Sequence, residues 1–243
     1  MNGYKIHMLN ISRSREAKCL VKVYIADAAK LQDRQLYRRL YACLDVARRA
    51  KADYFLFEKD KRLSVAAGAL LQYALQRENI WEPAFEVTAT GKPYLVGSAG
   101  AERLYFNLSH SEAMVMCAIS DKEVGCDVEK QAALDRSLAE YVMQDHELAW
   151  IYGSSREQEQ QHRFFRLWTL KESYMKATGL GIALEPKSFG MMAVDGMTAV
   201  KNPVDERKFC FKEYFLEDGY CYACCALSEV FCDAMTEVDL GFV

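Results

Sequence analysis

Three short segments in the middle of the chain carry the apolar pattern of β-strands. Apolar side chains alternate with polar or smaller ones over residues 104–108, and an unbroken apolar run follows over residues 114–119. A third short segment covers residues 124–129. Alternation with a period of two is typical of a half-buried strand, and a short apolar run bounded by turns is typical of a buried one. The pattern therefore predicts three strands, with turns at residues 109–111 and 120–123.

The rest of the chain contains both helical and strand periodicity. Leucines at helical spacing predict one helix over residues 33–50 and a second, largely buried helix over residues 63–75. The strongest helical pattern covers residues 162–178 and ends at Gly179, a typical C-terminal cap. A polar connection is expected over residues 153–161. Further helices are predicted at residues 134–142 and 145–150, and strands at residues 5–11, 20–26, 85–88, 188–194, 209–215 and 220–227. Turns are predicted at Asp195-Gly196 and Asp218-Gly219.

Composition and charge are those of an ordinary globular protein. The chain has 243 residues with 51% hydrophobic and 27% charged residues, enough for one large domain or two small ones. A net charge of −3 does not favour binding to nucleic acid or to a membrane surface. The N-terminus shows no secretory signal, and the uncharged run over residues 63–76 is too short to span a bilayer.

Cysteine usage favours a reducing cytoplasm. The nine cysteines are odd in number and scattered, which argues against a disulfide framework. Cys221 and Cys224 form a C-x-x-C, but the segment around them and Cys225 is apolar, and no second cysteine or histidine pair stands at zinc spacing. We expect core thiols there.

Two acids on the third predicted strand are candidates for a metal site. Asp127 and Glu129 share one face, because side chains alternate along a strand, while Cys126 and Val128 face the other way. An all-oxygen pair suits a hard ion such as Mg²⁺. The alternative is a solvated strand edge that carries two acids. In either case we expect the loss of Asp127 to leave the fold intact, since a strand-face acid contributes little to a core.

The predicted helix over residues 162–178 adds an acid and two lysines. Glu172 and Lys176 stand one turn apart at the edge of its apolar face, and Lys171 falls inside that face. The alternative for the first two is a routine surface ion pair. If Asp127 and Glu129 lie nearby, Glu172 supplies a third carboxylate to one Mg²⁺, and the lysines can hold phosphates. The residues by themselves thus lead to a metal-assisted phosphoryl-type reaction.

Four motifs in order resemble those of 4′-phosphopantetheinyl transferases of the surfactin-synthetase-activating (Sfp) type. They are Gly91-Lys92-Pro93, FNLSHS at residues 106–111, GCDVE at residues 125–129 and WTLKESYMK at residues 168–176. The length matches the pseudo-dimeric members of that family. The resemblance implies an α+β fold of two similar subdomains, residues 1–122 and 123–243, each with an antiparallel sheet and packed helices. A pseudo-twofold would relate them, with the active site between them.

The resemblance also implies a reaction and its participants. A cytoplasmic monomer would move the 4′-phosphopantetheine arm of coenzyme A (CoA) onto a serine of an apo acyl or peptidyl carrier protein and release adenosine 3′,5′-bisphosphate. The metal ligands for Mg²⁺ would be Asp127, Glu129 and Glu172. Glu172, or a water on the metal, would take the proton of the serine, and Lys176 would complete the catalytic pair. The residues implied for CoA binding are Arg48, Lys51, Arg62, Lys92, Ser109, His110, Lys171 and Lys176.

Two other functions use the same residues. A Mg²⁺-dependent hydrolase of a nucleotide pyrophosphate needs the carboxylates but no partner protein. A non-catalytic module that binds CoA or a carrier protein needs neither a base nor the complete set of acids and lysines. The complete set therefore favours an enzyme, and a test with an acceptor protein separates the transferase from the hydrolase.

Overall fold

The structure is a computed structural model that describes residues 21–96, 104–194, 197–201 and 203–243. The predicted strand over residues 5–11 and the predicted turn at Asp195-Gly196 lie outside the described residues. The described chain has the predicted α+β class, with helices packed on largely antiparallel sheets. Its helices are α1 (Arg34–Cys43), α2 (Val46–Tyr54), α3 (Glu58–Arg77), α4 (Arg136–Val142), α5 (Asp145–Tyr152) and α6 (Glu157–Thr178).

The strands fall into two main sheets and two hairpins. The strands are β1 (Val21–Asp27), β2 (Phe85–Val87), β3 (Pro93–Leu95), β4 (Tyr105–Ser111), β5 (Met114–Ser120), β6 (Val124–Lys130), β7 (Gly190–Val194), β8 (Met197–Lys201), β9 (Cys210–Tyr214), β10 (Tyr220–Ala226) and β11 (Thr236–Glu237). One sheet has the order β11-β1-β5-β4 and the other the order β6-β10-β9. All pairs are antiparallel except β1 with β11, which is parallel.

Alternating side chains of the two main sheets build three cores. On β1, Tyr24 and Ala26 pack with α3 on one face, whereas Val23 and Ile25 face the second sheet. On β6, Cys126 and Val128 face the first sheet. The outer face of the second sheet is covered by α6. The two sheets therefore lie face to face between α3 and α6.

The predicted helix over residues 33–50 is wrong, because two helices occupy that segment. Leu44 is extended, and the side chain of Asp45 accepts a hydrogen bond from the backbone N–H of Arg48, which starts α2 as an N-cap. Because of this break, α1 and α2 are separate helices and do not form one continuous helix.

Two further segments differ from the prediction. The polar residues predicted as a connection are in part the first turns of α6, which begins at Glu157. The predicted turn at residues 109–111 is wrong, because β4 continues through Ser111 in register with β5. Ser109, His110 and Ser111 are thus strand residues, and their side chains have fixed directions.

The last residues of the chain return to the first half. Strand β11 pairs with β1, and Val238 and Leu240 are buried in the core around α3. The division at residues 122 and 123 stays a prediction. Among the described helices, none combines the length and the apolar character that a membrane span needs. Cys221, Cys224 and Cys225 are buried free thiols of β10, as expected.

Candidate functional site

The predicted acids meet where α6 crosses β6. A side chain at Gly125 would meet the backbone of α6, since a Cβ built there lies 2.1 Å from the carbonyl oxygen of Ser173 and 2.4 Å from the backbone nitrogen of Ala177. Contacts that short do not occur, so only glycine lets the helix approach this closely. The approach brings Glu172 and Lys176 of α6 toward the face of β6 that carries the two acids.

Asp127 is the buried centre of this contact, with 2% of its surface exposed. Its Oδ1 accepts hydrogen bonds from the hydroxyl of Ser109 at 2.7 Å and from the Lys176 ammonium at 2.6 Å. Burial by itself lowers the pKa of Lys176, but the carboxylate of Asp127 outweighs it and raises that pKa. The second oxygen, Oδ2, is buried and has no hydrogen-bond partner. An orphaned buried carboxylate oxygen costs free energy unless a cation or donor reaches it.

Glu129 and Glu172 share this environment. Burial raises the pKa of Glu129, and the negative charge of Asp127 raises it further, while hydrogen bonds from Ser111 and Trp168 act in the opposite direction. Burial also raises the pKa of Glu172, with Lys176 lowering it and Asp127 raising it. The negative charge of Asp127 therefore acts on both Glu129 and Glu172. A cluster of mutually repelling carboxylates is typical of a site that takes a cation.

The fit of Mg²⁺ to these residues is partial. Hard oxygen donors and the orphaned Asp127 Oδ2 suit the ion, which retains several waters and needs only one or two carboxylates. Within the described residues, however, no three such side chains already converge on a single point. The Lys176 ammonium holds Asp127 Oδ1 instead. The residues therefore fit a metal ion whose remaining ligands are water and phosphate oxygens. The protein side chains alone do not form a complete coordination shell in the described residues.

A cluster of cations lies beside the acids. Desolvation lowers the pKa of His110, although the imidazole is exposed, and the charges of Lys176 and Lys51 lower it further. The pKa of Lys51 is lowered mainly by desolvation and further by the charge of Arg48. Desolvation also lowers the pKa of Arg48. Arg48 and Lys51 hold their positive charges at a cost in the described conformation, and the lowered pKa of His110 favours its neutral form until an anion binds. Such a cluster is a natural site for a phosphate group.

Arg62 lies in a different place. It lines a cavity of about 770 Å³ together with Ser111, Glu129, Phe165 and Tyr220, whereas Arg48 lines a smaller one. The structure thus brings Lys51 near both Arg48 and His110, and it places Arg62 in the cavity that Glu129 also lines.

The predicted CoA contact of Lys171 is wrong. The side chain is fully buried and forms an ion pair with Glu147, itself fully buried, at 3.0 Å. Its Nζ also donates to the carbonyl oxygens of Pro186 at 2.8 Å and Phe189 at 2.7 Å. All donor positions of the ammonium are occupied inside the second half of the protein. Lys171 therefore has a structural role.

Lys92 also differs from its prediction. Its Nζ donates to the carbonyl oxygens of Lys176 at 2.6 Å, Val124 at 3.0 Å and Ala177 at 3.3 Å, so it closes the C-terminal end of α6 onto β6. Burial lowers the pKa of Lys92 to about 8. With three backbone acceptors, the ammonium has no donor left for a phosphate. We assign to Lys92 a structural role in place of the predicted phosphate contact.

Sequence reasoning missed three functional contacts. The resemblance assigns Ser109 to CoA, yet its hydroxyl is directed at Asp127. Ser111, which was not singled out, donates to Glu129 Oε2 at 2.7 Å. Glu147, the buried partner of Lys171, was also not singled out. The sequence did offer a signal for the two serine contacts, because Ser109 and Ser111 stand two residues apart in their motif, as the two acids do in theirs. Glu147 had none, since its partner is 24 residues away in sequence.

Comparison with known proteins gives a consistent result across most of the chain. The sequence pattern of the 4′-phosphopantetheinyl transferase superfamily matches residues 123–225. A second pattern, that of the N-terminal part of 4′-phosphopantetheinyl transferase, matches residues 32–122. The two matches meet between residues 122 and 123 and leave out the ends of the chain.

Individual relatives carry the same name. A 4′-phosphopantetheinyl transferase of Bacillus subtilis is 28% identical over 81% of this chain and 88% of its own length. The 4′-phosphopantetheinyl transferase Sfp of B. subtilis strain 168 is 27% identical over 83% of this chain and 90% of its own length. The 4′-phosphopantetheinyl transferase gsp of Aneurinibacillus migulanus is 33% identical over 59% of this chain and 58% of its own length.

Proposed function

The chain belongs to the 4′-phosphopantetheinyl transferase superfamily, and on that premise we propose that it uses CoA as the donor and an apo acyl or peptidyl carrier protein as the acceptor. The 4′-phosphopantetheine arm moves to a serine of the carrier, and adenosine 3′,5′-bisphosphate leaves. One observation carries the proposal. A cluster of repelling carboxylates lies directly beside a cluster of desolvated cations, with Lys176 shared by both.

The cation cluster accounts for binding of the nucleotide end. Arg48 lies within electrostatic reach of Lys51, and Lys51 within reach of His110, so a bound anion relieves the cost of the two charges and favours protonation of His110. We assign to them the 3′-phosphate of CoA. Lys176 lies between this cluster and Asp127, so it is suited to the pyrophosphate. In that role it stabilises the negative charge that develops on the leaving bisphosphate.

Asp127, Glu129 and Glu172 are the residues that would hold Mg²⁺. When bound, the ion would neutralise charge on the pyrophosphate. The hydrogen bonds to Asp127 and Glu129 orient the two β6 acids, and the close approach of α6 to β6 supports Glu172 as the third ligand.

Glu172 is suited to be the general base. Burial raises its pKa, which brings a carboxylate closer to the pH at which it accepts a proton efficiently. The oxygen of the carrier serine forms a bond to the phosphorus that bears the pantetheine arm, and the bond from that phosphorus to the bisphosphate oxygen breaks. The serine proton passes to Glu172. Lys176, one turn further along α6, remains protonated because the pKa of its ammonium is raised.

Exposed apolar side chains near the site support a protein partner. Tyr54 at the end of α2 is 86% exposed, and Leu56 and Phe57 in the connection to α3 are 89% and 72% exposed. They follow Lys51 in the chain and precede the part of α3 that lines the cavity at Glu129. Grouped exposed apolar residues mark interaction surfaces on soluble proteins. A hydrolase of a small nucleotide needs no such surface, whereas a transferase to a carrier protein does.

Glu172→Gln slows modification of the carrier by about 100-fold or more, the scale expected for the loss of a general base. The wild-type enzyme is incubated with CoA, Mg²⁺ and a panel of apo carriers, and intact-protein mass reports one added phosphopantetheine. Adenosine 3′,5′-bisphosphate forms in equal amount. Glu172→Gln retains CoA binding, measured by calorimetry, because the cation cluster is intact.

Two controls make this experiment decisive. A carrier whose acceptor serine is replaced by alanine stops the formation of both products together. CoA with Mg²⁺ but no carrier stays intact. Cleavage of CoA at a similar rate without any carrier would establish the hydrolase and overturn the proposed transfer.

Arg48→Gln combined with Lys51→Gln weakens the binding of CoA much more than that of dephospho-CoA, which lacks the 3′-phosphate. Charge-assisted contacts to phosphate are worth roughly 1.5–3 kcal/mol each. Calorimetric titration of both ligands into each protein gives the difference. Arg49→Gln, on the residue next to Arg48 in α2, is the matched control and leaves both affinities unchanged. Equal losses for the two ligands would contradict the assignment of the 3′-phosphate.

A further inference from the structure

Two serines of β4 hold the two acids of β6 in matching pairs. Ser109 donates to Asp127 Oδ1 at 2.7 Å, and Ser111 donates to Glu129 Oε2 at 2.7 Å. The serines are two residues apart, and so are the acids. Strands β4 and β6 belong to different sheets, so these side-chain bonds join the sheets at the site.

The surroundings fix the direction of each hydroxyl. The oxygen of Ser111 accepts a hydrogen bond from the backbone N–H of Lys130 at 3.1 Å, which leaves its own hydrogen for Glu129. The oxygen of Ser109 accepts from the Lys176 ammonium at 3.0 Å, which leaves its hydrogen for Asp127. A hydroxyl that already accepts from one side is a well-oriented donor on the other.

The serine bonds oppose the repulsion between the acids. Asp127 and Glu129 lie on one face of one strand, and the repulsion between their charges favours side-chain orientations that separate the carboxylates. Each serine bond holds one oxygen of its acid in place. For Asp127 the remaining oxygen is the buried, unpartnered Oδ2.

We propose that Ser111 is a positioning residue that holds the Glu129 carboxylate in the orientation that receives the metal ion, and that Ser109 does the same for Asp127. The inference rests on the proposed function only in taking the two acids as ligands of Mg²⁺. It gives Ser109 a role at the metal site, where the sequence motif suggests a contact with CoA.

Ser111 is the better of the two for a test. Ser109 is buried, and its oxygen also contacts Lys176, so its replacement disturbs the proposed phosphate contact as well. Ser111 is only partly buried, and its hydroxyl contacts Glu129 and the backbone of Lys130.

The experiment measures metal binding without any acceptor protein. Mg²⁺ is titrated calorimetrically into enzyme saturated with CoA, and CoA is titrated separately without metal. Ser111→Ala weakens Mg²⁺ affinity by about 10-fold or more, the scale found for residues that orient metal ligands. It leaves metal-free CoA affinity unchanged. Ser111→Thr, which keeps the hydroxyl, restores Mg²⁺ affinity to within a few-fold of wild type.

The control is Ser120→Ala. Ser120 is a buried serine at the end of β5, and its hydroxyl oxygen accepts from the backbone N–H of Lys122. This variant keeps wild-type Mg²⁺ affinity, and thermal unfolding confirms that each protein is folded. Wild-type Mg²⁺ affinity in folded Ser111→Ala would overturn the positioning role while leaving the transferase proposal untouched. Failure of carrier modification in the wild-type enzyme would overturn the transferase proposal, yet the metal titrations would still decide the role of Ser111.

Discussion

Asp127→Asn lowers the rate of carrier modification by at least about 100- to 1000-fold. The substitution keeps the shape of the side chain but removes the charge that pairs with Lys176 and that is assigned to Mg²⁺. Loss of one preorganised electrostatic contact in an active site has an effect of this size. Because the asparagine amide still accepts from Ser109 and Lys176 through its oxygen, the fold is retained.

The measurement is single-turnover modification of a carrier by wild type and variant at saturating Mg²⁺ and CoA. Asp121→Asn, in the turn between β5 and β6, is the control and keeps wild-type activity. Full activity in folded Asp127→Asn would remove Asp127 from the site. Asparagine is preferable to alanine here. As a strand-face acid, Asp127 was expected to contribute little to the core. It is instead buried and accepts two hydrogen bonds, so alanine would leave the Lys176 ammonium without its carboxylate acceptor.

The strands and helix α6 were predictable because the hydrophobic pattern of each lies within one short segment of the sequence. Side chains alternate between the two faces of a strand, so Asp127 and Glu129 must share one face of β6 whatever the rest of the fold is. The structure has them on one face. The end of α6 at Gly179, which has a φ of 78°, follows from glycine's access to left-handed backbone. The family resemblance, carried by four motifs, was confirmed by the comparisons.

The sequence-based predictions failed for residues whose contact partners in the folded protein lie far away in the sequence. Lys171 and Lys92 belong to motifs for which the family resemblance implied contacts with CoA, yet both ammonium groups are saturated by acceptors in the folded protein. Gly125 could be read only as a turn or a flexible point from sequence, whereas its role depends on the approach of α6. The break before α2 was different, since Asp45 is an ordinary N-cap signal that the leucine periodicity obscured.

The buried pair of Lys171 and Glu147 is therefore expected to affect stability rather than CoA binding. Glu147 accepts from Lys171 at 3.0 Å, from the backbone N–H of Gln144 at 2.6 Å and from that of Met191 at 2.7 Å. Lys171 joins this group to the carbonyl oxygens of Pro186 and Phe189. The network links α5, α6 and the start of β7 inside the second half of the protein.

Lys171→Met lowers the free energy of unfolding by about 3–5 kcal/mol, because it leaves the Glu147 carboxylate buried without its counter-charge. Methionine has nearly the length of lysine, so the loss reports charge and hydrogen bonding more than packing. Urea denaturation followed by circular dichroism gives the value, and CoA titration of the folded protein gives the affinity, which stays at the wild-type level. The control is Lys61→Met on α3, whose lysine pairs with Glu58 at 3.1 Å in solvent and whose loss changes stability little. A Lys171→Met protein with wild-type stability but weakened CoA binding would restore the role that the motif suggested.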